Sequence, residues 1–302
     1  MMNLNPFTWR TNHRALFGMT LGALMISFSG VWVKLSHVTP TSSAFYRVLI
    51  GGVFLLIGSL WRRELRPLTI FQSGLMIFCG AFLALDLIAY HYSVHLVGPG
   101  LGTILPNFQV FLMALAGVVF LNERLGVAYF AAIPLALGGL FLVVGIRWNL
   151  LDGQYKLGVY LGLAASVCYT GFLLSLRKLQ AVNQRMAFFY VLMIVSLTTA
   201  AFIAVEMVRS GDTFTIPDLQ SLLSLSALGF FCQGIGWILI ANALPHLRIS
   251  LSGLILLMQP ALAFIWDVLF FDRPTSGLNW LGVAIVLAGI YMGTLGGRPG
   301  KN

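Results

Sequence analysis

The chain has 302 residues, 59% of them hydrophobic and only 9% charged, where soluble domains hold about 45–50% and about 25%. That balance excludes a soluble globular protein. At roughly 20 apolar residues per crossing, about ten spans use up the length and leave no room for a separate soluble domain. The net charge of +9 comes from 18 Lys and Arg lying mostly between apolar runs, so the excess reads as a topology signal and not as a nucleic-acid patch. Cys79, Cys168 and Cys232 fall inside apolar runs without ligand spacing, which argues against a disulfide framework or a metal site.

Taken from the start, MMNLNPFTWRTNHR places its basic residues far from Met1, and the run from Ala15 to Val33 meets Lys34 without a small-x-small cleavage site. A cleaved signal peptide fits this poorly, and the run is read as the first span. Hydropathy predicts spans at 15–35, 42–61, 70–95, 99–121, 127–146, 157–179, 186–208, 218–244, 248–271 and 277–296. Thr39-Pro40-Thr41, Gly98-Pro99-Gly100, Asp152-Gly153 and the stretch from Arg209 to Pro217 supply the turn chemistry between them. With a cytoplasmic N-terminus, twelve Lys and Arg lie inside and five outside, with Arg47 within a span. The positive-inside rule then expects both termini in the cytoplasm, with 1–14 and 297–302 as short tails.

The two halves align weakly but in order. Leu21-Gly22-Ala23 falls on Leu161-Gly162-Leu163, and at an offset of 150 Gln109 falls on Gln259, Asn122 on Asp272 and Gly139 on Gly289. Five spans per half is an odd number, so the second half, 157–296, enters the membrane in the opposite sense to the first, 15–146. The expected fold is therefore an all-α integral membrane protein of ten helices in two inverted five-helix repeats.

Several segments resemble the EamA family of the drug/metabolite transporter superfamily. They are Trp32 with Lys34, Ala44-Phe45-Tyr46-Arg47 at the start of the second span, and Leu121-Asn122-Glu123-Arg124-Leu125 closing the fourth, similar to the family's Gly-Glu-Arg-Leu pattern. Gln259-Pro260 and the degenerate Phe271-Asp272-Arg273-Pro274 stand in the second half. The resemblance implies a ten-helix carrier, often an exporter of amino acids or other metabolites.

Ionisable groups inside spans are costly and are functional candidates. Arg47 and Asp86 lie at similar expected depths, about 9 and 12 Å from the outer ends of spans two and three. They either neutralise one another and lock the two helices, or Asp86 carries a proton coupled to transport. Tyr90 shares a face with Asp86; His91 is either a proton relay or an interhelix hydrogen-bonding group. Pro106 and Pro260 each remove a backbone hydrogen bond near mid-membrane. The adjoining Asn107, Gln109 and Gln259 are expected either to line a central cavity or to bond across a kink. Trp32, Gln233, Trp237 and Asn242 complete the candidate binding set, as aromatics beside amides suit an amphiphilic solute. Glu123-Arg124 is read as a contact at the cytoplasmic surface.

The leading function is a secondary carrier in the inner membrane exporting amino acids or related amphiphilic solutes, by proton antiport or facilitated diffusion. Uptake or facilitation of a nucleoside, sugar or polyamine is the alternative, with a membrane scaffold behind it. An enzyme would need clustered catalytic groups, which the sequence lacks. Nor are there P-loop, dinucleotide or nucleic-acid signatures. The expected partners are a small-molecule substrate, the lipid bilayer and protons as coupling ion, with no cofactor and no nucleic acid.

Overall fold

The computed structural model describes residues 13–65, 68–144, 153–182 and 188–296, and no strand occurs among them. The helices are α1 His13–Leu35, α2 Pro40–Trp61, α3 Ile70–Val97, α4 Gly102–Leu121, α5 Val127–Val143, α6 Gly153–Ala181, α7 Phe189–Ser210, α8 Leu219–His246, α9 Ile249–Phe271 and α10 Gly277–Thr294. All except α5 are long and apolar enough to cross a bilayer; α5 is apolar but shorter. The expected tails, apart from His13 and Arg14, and the predicted end of the fifth span beyond residue 144 lie outside the described residues.

The ends of these helices follow local chemistry. Thr39 caps α2 by accepting the Ser42 backbone N–H, with Pro40 in the first turn, and Asp218 caps α8 by accepting the Ser221 N–H at 2.6 Å. Asn122 and Asp272 end α4 and α9 in the left-handed region, at φ 52° and 48°. Asn and Asp tolerate that conformation better than most residues. Four helices are irregular, α9 through a turn at Leu257 between Ile249–Leu256 and Met258–Phe271. At Phe28, α1 is interrupted between His13–Ser27 and Ser29–Leu35. Around Pro106, α4 tightens to a 3-10 turn over Leu105–Phe108, and α8 widens to a π-helix over Leu228–Gly236.

The halves pack on one another chiefly through α1 with α8, α2 with α7, α3 with α6 and α5 with α10, while α4 packs on both α6 and α9. Small residues allow the closest crossings, as where Gly139 of α5 and Gly282 of α10 face each other's backbone. α1 packs on both α8 and α9, and α6 packs on both α3 and α4.

Candidate functional site

At the centre, Arg47 of α2 donates from Nε to Gln233 Oε1 at 3.2 Å. Gln233 Nε2 in turn donates to Ser196 Oγ of α7 at 3.0 Å. The π-turn and a glycine make this reach possible. Gln233 packs against Gly51, where a Cβ would stand 2.5 Å from its Cγ, and π-turns commonly mark functional positions in helices. Arg47 thus spends its Nε on an amide. No ion pair with Asp86 forms among the described residues, although the two charges lie within electrostatic reach. The reason is geometric: matched depth does not bring two side chains together when a glutamine from a third helix meets one of them first.

Asp86 is left buried, 8% exposed. Its surroundings include Tyr90 on its own helix and Cys168 and Tyr169 on α6. Tyr169 also lies beside the Gln259 amide and joins an aromatic group: its ring is 6.3 Å from that of Trp237, which meets Phe172 edge-on at 4.8 Å. Among the described residues, nine buried polar side-chain atoms lack a hydrogen-bond partner, and four of them belong to candidates: Trp32 Nε1, Gln109 Oε1, Trp237 Nε1 and Gln259 Nε2. Orphaned buried groups are rare in finished cores and call for a ligand, a water or a conformational partner.

The remaining candidates divide. Tyr90 interacts with Thr103, and His91 lies beside it, ring centroids 5.5 Å apart, in reach of the charges on Arg47 and Asp212. Asn107 Nδ2 donates to Thr103 O at 2.7 Å, mending the ladder that Pro106 interrupts. Gln109 Nε2 crosses from α4 to Gly253 O of α9 at 3.3 Å, and Pro260 follows the turn at Leu257. Asn242 is exposed near the end of α8, away from the central group, where its carbonyl contacts His246 Nδ1 at 3.0 Å.

Sequence reading missed Glu123 as a buried group. The left-handed Asn122 turns the chain back so that the Glu123 N–H bonds Gly117 O at 2.9 Å, and the carboxylate swings under the N-terminus of α9 instead of into solvent. It accepts the Ile249 N–H at 2.6 Å, the Ser250 hydroxyl at 2.6 Å and the Ser250 N–H at 3.3 Å, with Arg177 Nη1 of α6 at 3.8 Å. Tyr169 was also missed. A tyrosine inside the apolar sixth span was the available signal, but its partners lie far away in sequence.

The opposite end, around Lys34, joins the halves through more exposed groups. Lys34 Nζ pairs with Asp267 at 2.8 Å, and Arg273 reaches the same carboxylate at 3.4 Å. Trp266 donates to Ser27 Oγ at 2.8 Å and stacks on Phe28 at 4.2 Å. His37 contacts Asp218 at 2.6 Å; this contact, together with the Ser221 N–H, holds the Asp218 carboxyl down at about 2. The described residues contain no group of three His, Cys, Asp or Glu that could hold a metal.

A lattice of apolar helices enclosing a buried carboxylate, a guanidinium and unpaired amides defines a multi-pass membrane protein of the transporter class. The sequence model of the EamA-like transporter family matches residues 13–145 and again 156–295; the chain belongs to that family. It is 24% identical over 207 residues, 66% of this chain and 68% of the relative, to an Escherichia coli (strain K12) protein named "Probable amino-acid metabolite efflux pump". It is 22% identical to an "Uncharacterized transporter" of Haemophilus influenzae (strain ATCC 51907 / DSM 11121 / KW20 / Rd), with 94% of each chain covered. One solved crystal structure shares the fold at a TM-score of 0.80 and 20% identity, covering 94% of this chain and 96% of the other. As a transporter, the protein acts on a small-molecule substrate in a lipid environment.

Proposed function

We propose that the chain exports amino acids or related amphiphilic solutes across the inner membrane. It does so by alternating access between two inverted five-helix repeats, 15–146 and 157–296, with both termini cytoplasmic. The pairing pattern supports the inversion, because exchanging the halves turns α1–α8 into α6–α3 and leaves α2–α7 and α5–α10 unchanged, as a two-fold axis in the membrane plane does. The twelve-to-five distribution of basic residues supports the orientation. The name of the Escherichia coli relative supports the substrate class.

The observation that carries the reading is Asp86, buried near Arg47 and Tyr169 with no ion pair or hydrogen bond to its carboxyl group among the described residues. A carboxyl group in that setting needs a proton or a cation, and a substrate ammonium is such a cation. Exchange of one for the other at a single oxygen pair couples proton entry to substrate release. Arg47, Trp237 and Gln259 offer donors for the opposite, anionic pole of the solute, and Tyr169 with Phe172 offers an apolar wall.

The test is efflux of labelled amino acids from proteoliposomes at several pH values. Wild type should empty loaded vesicles faster than protein-free controls, and Asp86→Asn should abolish the pH dependence and slow the exchange that remains. Equal retention with and without protein contradicts transport, and unchanged pH dependence in Asp86→Asn removes Asp86 from coupling.

A further inference from the structure

Arg47 and Asp86 lie within electrostatic reach of each other, yet no ion pair joins them among the described residues. Opposite charges attract strongly where little water screens them, so something must hold these two apart. The holder runs from Arg47 through Gln233 to Ser196. Arg47 Nε donates to Gln233 Oε1 at 3.2 Å, and Gln233 Nε2 donates to Ser196 Oγ at 3.0 Å. Each end of the amide is thus engaged on a different helix. Gln233 and Ser196 are 3% and 0% exposed, so water has little access to replace either bond.

Two adjacent glycines on α2 build the holder. A Cβ on Gly51 would stand 2.5 Å from Gln233 Cγ and 2.9 Å from Gly229 O, and one on Gly52 would stand 2.8 Å from Leu197 Cδ2. Both α8 and α7 therefore close on α2 one turn beyond Arg47, and Gly51 shares the face of Arg47 at four residues' spacing. The π-helical stretch Leu228–Gly236 brings Gly229 and Gln233 alike against Gly51. With Nε spent on the amide, the Nη1 and Nη2 edge of the guanidinium makes no hydrogen bond among the described residues. The guanidinium lies in reach of Asp86, His91, Tyr169 and Cys232, from three different helices. Its free edge carries two parallel N–H donors of the kind that match a carboxylate.

We propose that Gln233 is a positioning residue that keeps Arg47 off Asp86 and so reserves both charges for a solute carrying an ammonium and a carboxylate. The carboxylate takes the Nη1 and Nη2 edge of Arg47, and the ammonium takes Asp86. If the two side chains paired with each other, the solute would first have to break that pair and would lose most of the gain. Held apart, they discriminate. A solute without the carboxylate leaves the guanidinium without a counter-charge, and one without the ammonium does the same to Asp86. The inference rests on the carrier reading above and narrows it to zwitterions, which sets sugars, nucleosides and polyamines aside.

The first measurement needs no transport. Dicyclohexylcarbodiimide modifies carboxyl groups in apolar surroundings, and mass spectrometry of the Asp86 peptide reads its rate in full-length protein in lipid nanodiscs. Gln233→Leu should slow modification of Asp86 by about 10-fold, the scale of one bond to a charged group, because the released Arg47 pairs with it. Combining Gln233→Leu with Arg47→Gln should restore the rate. Ser196→Ala loosens Gln233 from one side and should slow modification less, which keeps the test available if Gln233→Leu does not fold. The second measurement compares efflux of leucine and leucinamide from proteoliposomes. Wild type should prefer leucine by about 10-fold in kcat/KM, and Gln233→Leu should lose most of that preference, whereas damage to the fold alone slows both solutes and keeps their ratio. Unchanged Asp86 modification in the folded variants, or a leucine preference that survives Gln233→Leu, overturns the inference. If wild type moves neither solute, the carrier reading for amino acids fails, and the carbodiimide rates still judge Gln233.

Discussion

The Glu123 end and the Lys34 end both tie the two halves together, but with different physics. At the first, a carboxylate withdrawn from solvent satisfies two backbone N–H groups and a hydroxyl at the start of α9. At the second, Lys34 and Asp267 pair while 49% and 22% exposed. Exposed pairs are worth little, because water competes for both partners. A buried carboxylate with several charge-assisted bonds is costly to break, because every partner is left unsatisfied. The contrast teaches that buried hydrogen bonds hold the Glu123 end and more exposed ion pairs hold the Lys34 end.

The contrast can be broken in order of expected effect. Glu123→Ala strips partners from Ile249, Ser250 and Arg177 at once and should destabilise the fold by about 3–5 kcal/mol, read as a lowered midpoint of thermal unfolding in detergent. Gly117→Ala sharpens the same point with one methyl group. The new Cβ would stand 2.6 Å from Glu123 Oε2, and overpacking of that kind should cost about 1–3 kcal/mol. Lys34→Ala should change stability by about 0–1 kcal/mol, and raising the salt concentration should shrink even that. A Lys34→Ala loss as large as that of Glu123→Ala would erase the difference between the ends.

Much of the fold was legible because hydropathy and turn residues act locally. The bounds of α2, α4 and α10 sit within a few residues of the predicted spans, and Asn122 and Asp272, matched by offset alone, share the left-handed cap. The site was legible only in part. Depth along a helix can be counted, which is why Arg47 and Asp86 came out near one level, but rotation and neighbours cannot be counted in the same way, so the Gln233 that takes Arg47 Nε was placed in a different group. Glu123 was misplaced at the surface for a similar reason: one positive φ redirects the chain, and only the fold shows that α9 begins where the carboxylate arrives. Gln109 and Gln259 match by offset, yet Gln109 Nε2 reaches Gly253 O while Gln259 lies beside Tyr169, a difference with no trace in the sequence.

The central claim is that the two ends open in alternation, and distances between spin labels in the same molecule test it most directly. One pair, Phe120→Cys with His246→Cys, spans the Glu123 end; another, Leu157→Cys with Leu269→Cys, spans the Lys34 end. When amino acid or acid is added to the reconstituted protein, one distance distribution should lengthen as the other shortens. Both distances lengthening together, or neither moving under conditions where the protein transports, would contradict the account.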